Sequence, residues 1–240
     1  MKDYLLDLVE HTYELGCIEL VKIVGSDTET QIVAMAEDQS VVVLGNYHNP
    51  VADFIGTFGM PNLPKLSTLL NLQVYRENAQ LAITRRADGE LDGINFQSAS
   101  GDFRNNYRFM SSTIVKDKLP TPIFAGAKWN ITFEPSSAAI QRLHWQMSAN
   151  AEEPNFTVKT EGSDLKFSFG DHSTHSGSFV FQSDVNGQLT RLWAWPAKQF
   201  AAILGLVGDK IVQISDDGAA QITVDSGLAV YKYILPAQSK

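Results

Sequence analysis

The chain is written twice, and this duplication limits its fold more than any other feature. Residues 4–15 place apolar side chains at Leu5, Leu8, Val9 and Tyr13, a helical spacing that stops at Gly16. Residues 136–148 repeat it: Pro135 and Ser136 open the segment, Ile140, Leu143 and Met147 form the expected buried stripe, and Asn150 follows its end. Each helix leads into a hairpin signal flanked by alternating strands, Gly25-Ser26-Asp27 and then Gly162-Ser163-Asp164, an offset of 162 − 25 = 137. A strand next reaches Pro61 or Pro196, offset 196 − 61 = 135, ahead of the stripes Leu66, Leu69, Leu70 and Phe200, Ile203, Leu204. Strands broken by Asp88-Gly89 and Asp217-Gly218 close each half, offset 217 − 88 = 129. One such pair arises by chance in any β-rich chain. Three ordered pairs between like elements predict a true repeat, each half reading helix, strands, helix, strands.

Between the halves, Leu119-Pro120-Thr121-Pro122 carries two prolines, which remove ladder donors and favour an extended, semi-rigid segment. The expected division is a first domain over 1–115, a connector over 116–128 and a second domain over 129–240.

Composition narrows the function classes. Apolar residues make up 44% and charged residues 19%, and the longest apolar run, 200–207, is far short of the roughly 20 residues of a membrane span. No membrane segment is expected. Asp3, Asp7 and Glu10 stand where a secretory signal needs basic and apolar residues, and Cys17 is the single cysteine, so a reducing cytoplasm is expected. The net charge of −8 argues against tight phosphate binding, because proteins that grip phosphates by affinity are usually basic. An acidic chain can still act on DNA when topology holds it there.

The most specific stretches are C-terminal. Leu189-Thr190, Trp195-Pro196 through Leu206, residues 210–218 and the ending Val230-Tyr231-Lys232-Tyr233-Ile234-Leu235-Pro236 follow one another as strand, short helix, two strands and a closing aromatic-basic strand. Together with Ala34-Met35-Ala36-Glu37-Asp38-Gln39 and the run 41–44, they resemble the DNA polymerase sliding clamps. That family includes proliferating cell nuclear antigen and the two-domain clamps of T-even-like bacteriophages. The resemblance implies an α+β clamp fold: two similar domains, each with two helices packed on antiparallel sheets, closing as a homotrimeric ring of six domains. It implies a processivity factor that encircles double-stranded DNA with weak direct contacts and tethers a DNA polymerase, loaded by a clamp loader ATPase. For a phage-encoded chain the compartment is the host's bacterial cytoplasm. The edges expected to pair between copies are 107–114 and 176–182.

The DNA-facing candidates are Lys2, Lys65, Arg142 and Lys198 on the helices, with Arg85 and Arg86 in the strand-turn before Asp88. Asp7, Glu10, His11 and Glu14 share one helical face by their spacing, which predicts an acidic surface toward DNA on the first helix. The expected partner-peptide pocket comprises Met35, Val42, Leu119, Ile123, Phe124, Ile234 and Pro236, apolar side chains that take a partner's aromatic or aliphatic knob. Met35, Val42 and Ile234 serve equally as core.

Asp171, His172 and His175 sit close in sequence, but in a Ser- and Thr-rich hairpin with no further His or Cys near, a poor metal site. His11, His48 and His144 are scattered, and no phosphate loop or nucleophile motif is present. Neither an enzyme nor a cofactor is expected. Two other readings compete: an acidic, oligomeric phage tail or baseplate protein, which has no need of two equivalent halves, and a hydrolase, which requires clustered carboxylates or a triad.

Overall fold

The computed structural model describes residues 1–122, 126–171 and 175–238. The chain splits into two compact units, Met1–Ile123 with Ser226–Tyr231, and Phe124–Asp225 with Lys232–Lys240.

Unit 1 begins with helix α1 (Lys2–Thr12) and a 3-10 turn (Tyr13–Leu15), ended by Gly16 in the left-handed region at φ 74°. Strands β1 (Leu20–Gly25), β2 (Thr30–Met35), β3 (Val42–Tyr47) and β4 (Gly56–Pro61) follow, all paired antiparallel in the order β4-β1-β2-β3. Helix α2 (Leu63–Asn71) starts where the Asn62 side chain accepts the Lys65 N–H, with Pro64 in its first turn, and it buries Leu63, Leu66, Leu69 and Leu70. The short helix α3 (Gln73–Arg76) leads into a three-stranded sheet, β5 (Gln80–Arg85), β6 (Leu91–Gln97) and β7 (Arg104–Arg108), and helix α4 (Ser112–Lys118) comes last. The outer edge of β3 is taken by the start of the chain's final strand, which begins at Ala229 and is led in by the turn from Ser226. There His48 N–H donates to the Leu228 carbonyl at 2.9 Å. Gly45 makes room for the Tyr231 ring, since a Cβ at that position would stand 3.0 Å from its Cδ1.

Unit 2 opens with β8 (Ile131–Phe133) and then repeats the order of unit 1. Helix α5 (Ser137–Ala149) is capped by the Ser136 hydroxyl, which accepts the Ala139 N–H at 3.1 Å. Strands β9 (Asn155–Glu161), β10 (Asp164–Phe169), β11 (Gly177–Gln182) and β12 (Trp193–Pro196) form a sheet in the order β11-β10-β9-β12. Helix α6 (Ala197–Gly205) and strands β13 (Asp209–Ser215), β14 (Ala219–Asp225) and β15 (Ala229–Pro236) complete it, with β15, β14, β13 and β8 adjacent in that order. Phe156, Phe167, Phe181 and Phe200 form its centre, with Phe167 stacked on Phe181 at 4.3 Å and on Phe156 at 4.6 Å. Full burial of each such ring contributes on the order of 2–3 kcal/mol. Trp195, fully buried, spends its one donor on the Leu235 carbonyl at 3.1 Å.

Strands β1–β4 thus recur as β9–β12 and β5–β7 as β13–β15, with the same partners in each set. The duplication, the antiparallel sheets and the turn positions are those expected. Unit 1 departs from two helices by adding α3 and α4, so residues 116–118 belong to a helical turn and the extended segment begins after Lys118. The edge expected over 107–114 also divides. Tyr107 and Arg108 end β7, Met110 pairs instead with Gly59, and Ser112 already begins α4. Both β7 and β11 stand at the ends of their sheets.

Candidate functional site

The inward face of α1 is partly polar, with Asp7, His11 and Thr12 buried beside Leu5, Leu8 and Val9. Asp7 and His11, expected to point outward, are 8% and 1% exposed. Their burial is possible because each has partners: the Tyr231 hydroxyl donates to Asp7 Oδ2 at 2.6 Å, and the His11 ring stacks on Tyr231 at 4.6 Å with 7° between planes. His11 Nδ1 lies 3.0 Å from the Asp7 carbonyl oxygen and 3.5 Å from its carboxylate. Beside them the Tyr47 hydroxyl donates to the Tyr4 carbonyl at 2.7 Å, and burial first, then the Asp7 charge, pushes its pKa well above that of an ordinary phenol. The acidic face of α1 is therefore smaller than its spacing predicts. Asp3 and Glu14 are exposed and Glu10 half-buried, while the other two residues belong to the interior.

Of the expected DNA-facing cations, several are committed within the fold. Lys2 Nζ donates to the Tyr75 and Arg76 carbonyls at 2.6 and 2.9 Å, a cation at the C-terminal end of α3. Arg85 bonds the Gly89 and Ile55 carbonyls, and Arg86 pairs with Glu90 at 3.3 Å and Asp92 at 3.9 Å, so both brace the Asp88-Gly89 turn. Arg142 reaches the Phe181 carbonyl at 3.4 Å. Lys65 and Lys198 are exposed in the first turns of α2 and α6, helices that correspond in the repeat.

The apolar pocket candidates are spread over the chain. Met35 and Val42 are half-buried and directly opposed across β2 and β3 in unit 1, and Leu119 is buried there at the end of α4. In unit 2, Ile234 is buried in β15 and Pro236 exposed at its end. Ile123 and Phe124 lie outside the described residues, as does His172. Among the described residues no group of three His, Cys, Asp or Glu is placed to hold a metal ion, and no helix is long and apolar enough to cross a membrane.

Lys22 is a residue that pattern reading missed. On β1 it is 2% exposed, and its amine donates to the Leu119 carbonyl and to Thr121 Oγ1 at 2.9 Å. Its ladder partners are Val33 and Gly59, and Gly59 must be glycine because a Cβ would stand 2.7 Å from Val115 Cγ2 on α4. Helix α4 lies over this face of the sheet at β4, next to β1, and Lys22 caps its C-terminal end. Burial first, then the neighbouring Lys116 charge, lowers the Lys22 pKa. The available signal was a lysine inside Leu20-Val21-Lys22-Ile23-Val24, a run apolar on both faces that leaves no outward position for it. Next to Leu20, unit 1 also holds a cleft of about 830 Å³, bounded by the residues after α1, the β2–β3 turn, the β4–α2 junction and both ends of α4.

No protein-family model and no curated protein matches the chain. Solved structures do. It is similar to proliferating cellular nuclear antigen from Entamoeba histolytica, at TM-score 0.70 and 14% identity over 97% of this chain and 94% of that one. It is similar to the A. fulgidus antigen bound to the C-terminal region of FEN-1, at TM-score 0.70 and 9% identity over 100% and 97%. The PCNA2–PCNA3 complex from Sulfolobus tokodaii also matches, at TM-score 0.68 and 10% identity over 98% and 96%. At these identities the likeness defines architecture, and the chain has the sliding-clamp fold of proliferating cell nuclear antigen.

Proposed function

We propose that the chain is one protomer of a sliding clamp, a closed homotrimeric ring that encircles duplex DNA and tethers a replicative polymerase after loading by an ATPase. One observation carries this reading. In the repeat, β7 corresponds to β15 and β11 to β3; the start of β15 covers the edge of β3, while β7 and β11 end their sheets. Pairing β7 of one copy with β11 of the next reproduces between chains the arrangement already made within one. Unpaired edges invite uncontrolled association, and cyclic closure removes them. Three copies of two units supply six, and a two-unit chain suits the T-even-like phage kind of clamp, working in a bacterial cytoplasm.

The mechanism is mechanical and involves no bond chemistry. Opening one subunit junction admits DNA, closure traps it, and escape requires reopening or sliding off an end. Residence is set by that barrier, which suits a chain of net charge −8. Lys65 and Lys198 are the cations we assign to weak phosphate contacts, with Arg142 joining them where its long bond to the Phe181 carbonyl gives way. With only about three of the ring's phosphate contacts made at any one time, the dependence on salt is shallow, a log–log slope of about −3 or flatter. Met35 and Val42, side by side on unit 1, offer an apolar step for a partner's side chain.

Sedimentation velocity tests the ring directly: a species of three chains is expected, and a monomer or an assembly without threefold stoichiometry sinks the reading. Proline placed singly at Asn105 and at Asn106 refines it, because neighbouring N–H groups of a strand point to opposite sides. One of the two variants should lose the trimer while keeping its own sheet. Retention on closed circular DNA and loss from linear DNA is the functional readout.

A further inference from the structure

Helices α1 and α5 occupy one place in the repeat, and a shift of 139 − 5 = 143 − 9 = 150 − 16 = 134 superposes their landmarks. It carries the buried Leu5 and Val9 onto the buried Ala139 and Leu143, and Gly16, where the first helix stops, onto Asn150. Under the same shift Asp7, Leu8 and His11 fall on Gln141, Arg142 and Trp145. The first three are buried and the second three exposed. In unit 1 that flank of the helix is covered in part by β15, whose Tyr231 stacks on the His11 ring at 4.6 Å and whose start closes the edge of β3. In unit 2 the strand equivalent to β3 is β11, which ends its sheet. Helix α5 packs on it: Arg142 reaches the Phe181 carbonyl at 3.4 Å, and a Cβ on Gly177 would stand 2.5 Å from Gln146 Oε1 and 2.7 Å from Asn150 Nδ2. Trp145, one turn from Arg142 and 63% exposed, therefore stands beside an open sheet edge.

The other open edge, β7, carries a surface of matching kind. The turns before β7 and β15 are closed by like bonds, the Ser98 N–H to the Phe103 carbonyl at 2.9 Å and the Ser226 N–H to the Ala229 carbonyl at 3.0 Å. That register sets Phe103 with Ala229, Asn105 with Tyr231 and Tyr107 with Tyr233, and both rings of the last pair are buried. Asn105 thus holds the place of Tyr231 with a much smaller side chain, its amide donating to the Tyr75 hydroxyl at 2.9 Å. Phe103, two residues earlier on the same strand face, lies 5.7 Å from the Tyr75 ring and is 45% exposed. Where the junction inside the chain sets a histidine against a tyrosine, the two open edges offer a tryptophan and an asparagine. The larger ring has moved to the helix, and the strand has made room for it.

We infer that Trp145 anchors the junction between copies, its indole entering above Asn105 and against the Phe103 and Tyr75 rings of the next copy. This rests on the β7–β11 pairing proposed above and adds what holds that pairing together. The occupant is a second copy because the repeat covers this flank of the helix with a strand, and because each open edge carries an exposed aromatic side chain for the other. The junction inside the chain is secured by a polar network through Asp7 and Tyr231, and the junction between copies by apolar contact. Apolar contact is not screened by salt, so assembly should survive ionic strengths that release a clamp's phosphate contacts.

The test is sedimentation equilibrium of the full chain over a dilution series, with Trp145→Gln, Phe103→Gln, their double variant and His144→Gln, an exposed neighbour on α5. Each of the first two should raise the concentration of half-assembly at least about tenfold. The double variant should exceed the worse single by less than about threefold, because both changes remove one contact. His144→Gln should match the parent. At dilutions where every chain is monomeric, Trp145→Gln should unfold in urea with the parent, which marks the loss as one of assembly and not of fold. The parent trimer should persist from about 0.1 to about 1 M sodium chloride, and its tryptophan emission should move to the blue on assembly, a shift that Trp145→Gln lacks. A parent that forms trimers while Trp145→Gln forms them as readily overturns the inference and leaves the ring standing. So does a fully additive loss in the double variant, or quenching of Trp145 in the intact trimer by an oligonucleotide, which would turn the indole toward DNA. A parent that stays monomeric at every concentration overturns the ring and this contact together.

Discussion

Helices α1 and α5 hold the same place in the repeat, yet they are secured by opposite means. Helix α1 buries Leu5, Leu8 and Val9 together with Asp7, His11 and Thr12, so its inner face is partly a hydrogen-bonded polar network. Helix α5 buries Ala139 and Leu143 alone, and Trp145 on its other side is 63% exposed. The position needs a helix of about this length, but it does not dictate whether apolar area or a polar network fixes it. A polar network costs little only when every member is satisfied, and α1 meets that condition through Tyr231.

The comparison can be broken most severely at Leu143. As the one large, fully buried side chain of α5, its replacement by alanine should cost about 3 kcal/mol in urea unfolding and release the helix first in hydrogen exchange. A cost below about 1 kcal/mol would mean that α5 is held by something other than that contact. Asp7→Leu sharpens the other side. It leaves the Tyr231 hydroxyl and the His11 ring without their acidic partner, at an expected cost of about 2 kcal/mol, and Asp7→Asn, still able to accept from Tyr231, should recover part of it. If leucine stabilises the protein instead, the network is not what secures α1. The smallest effect is expected at Trp145. Trp145→Gln should change stability by less than about 0.5 kcal/mol, so a larger loss in thermal unfolding would expose a contact for α5 that the fold does not show.

The same contrast explains what the sequence made legible. Gly25-Ser26-Asp27, Asp88-Gly89, Gly162-Ser163-Asp164 and Asp217-Gly218 all fall at turns, because turn chemistry is local to a few residues. The stripes of α2 and α6 were equally plain, being apolar throughout. Asp7 and His11 were misread because the partner that makes their burial affordable is 224 residues away, beyond any window of helical spacing. Lys22 was overlooked for a similar reason, its acceptors lying 97 and 99 residues further on. Helix α4 was hidden by the prolines that follow it, whose pull toward extended backbone takes hold only after Lys118. The six cations were read from charge and from their place on a helix or turn, and neither distinguishes Lys65, exposed, from Lys2, tied to two carbonyls.

The placing of Ser226–Tyr231 in unit 1 has a temporal consequence. At about 5–20 residues per second, roughly 11–45 s separate the synthesis of Asp7 from that of Tyr231. Through that interval the first unit is on the ribosome without the strand that covers β3 and without the hydroxyl that satisfies Asp7. The first unit to be started is therefore completed only a few residues before the second, and its exposed edge is open to rescue or to error until the chain is almost complete.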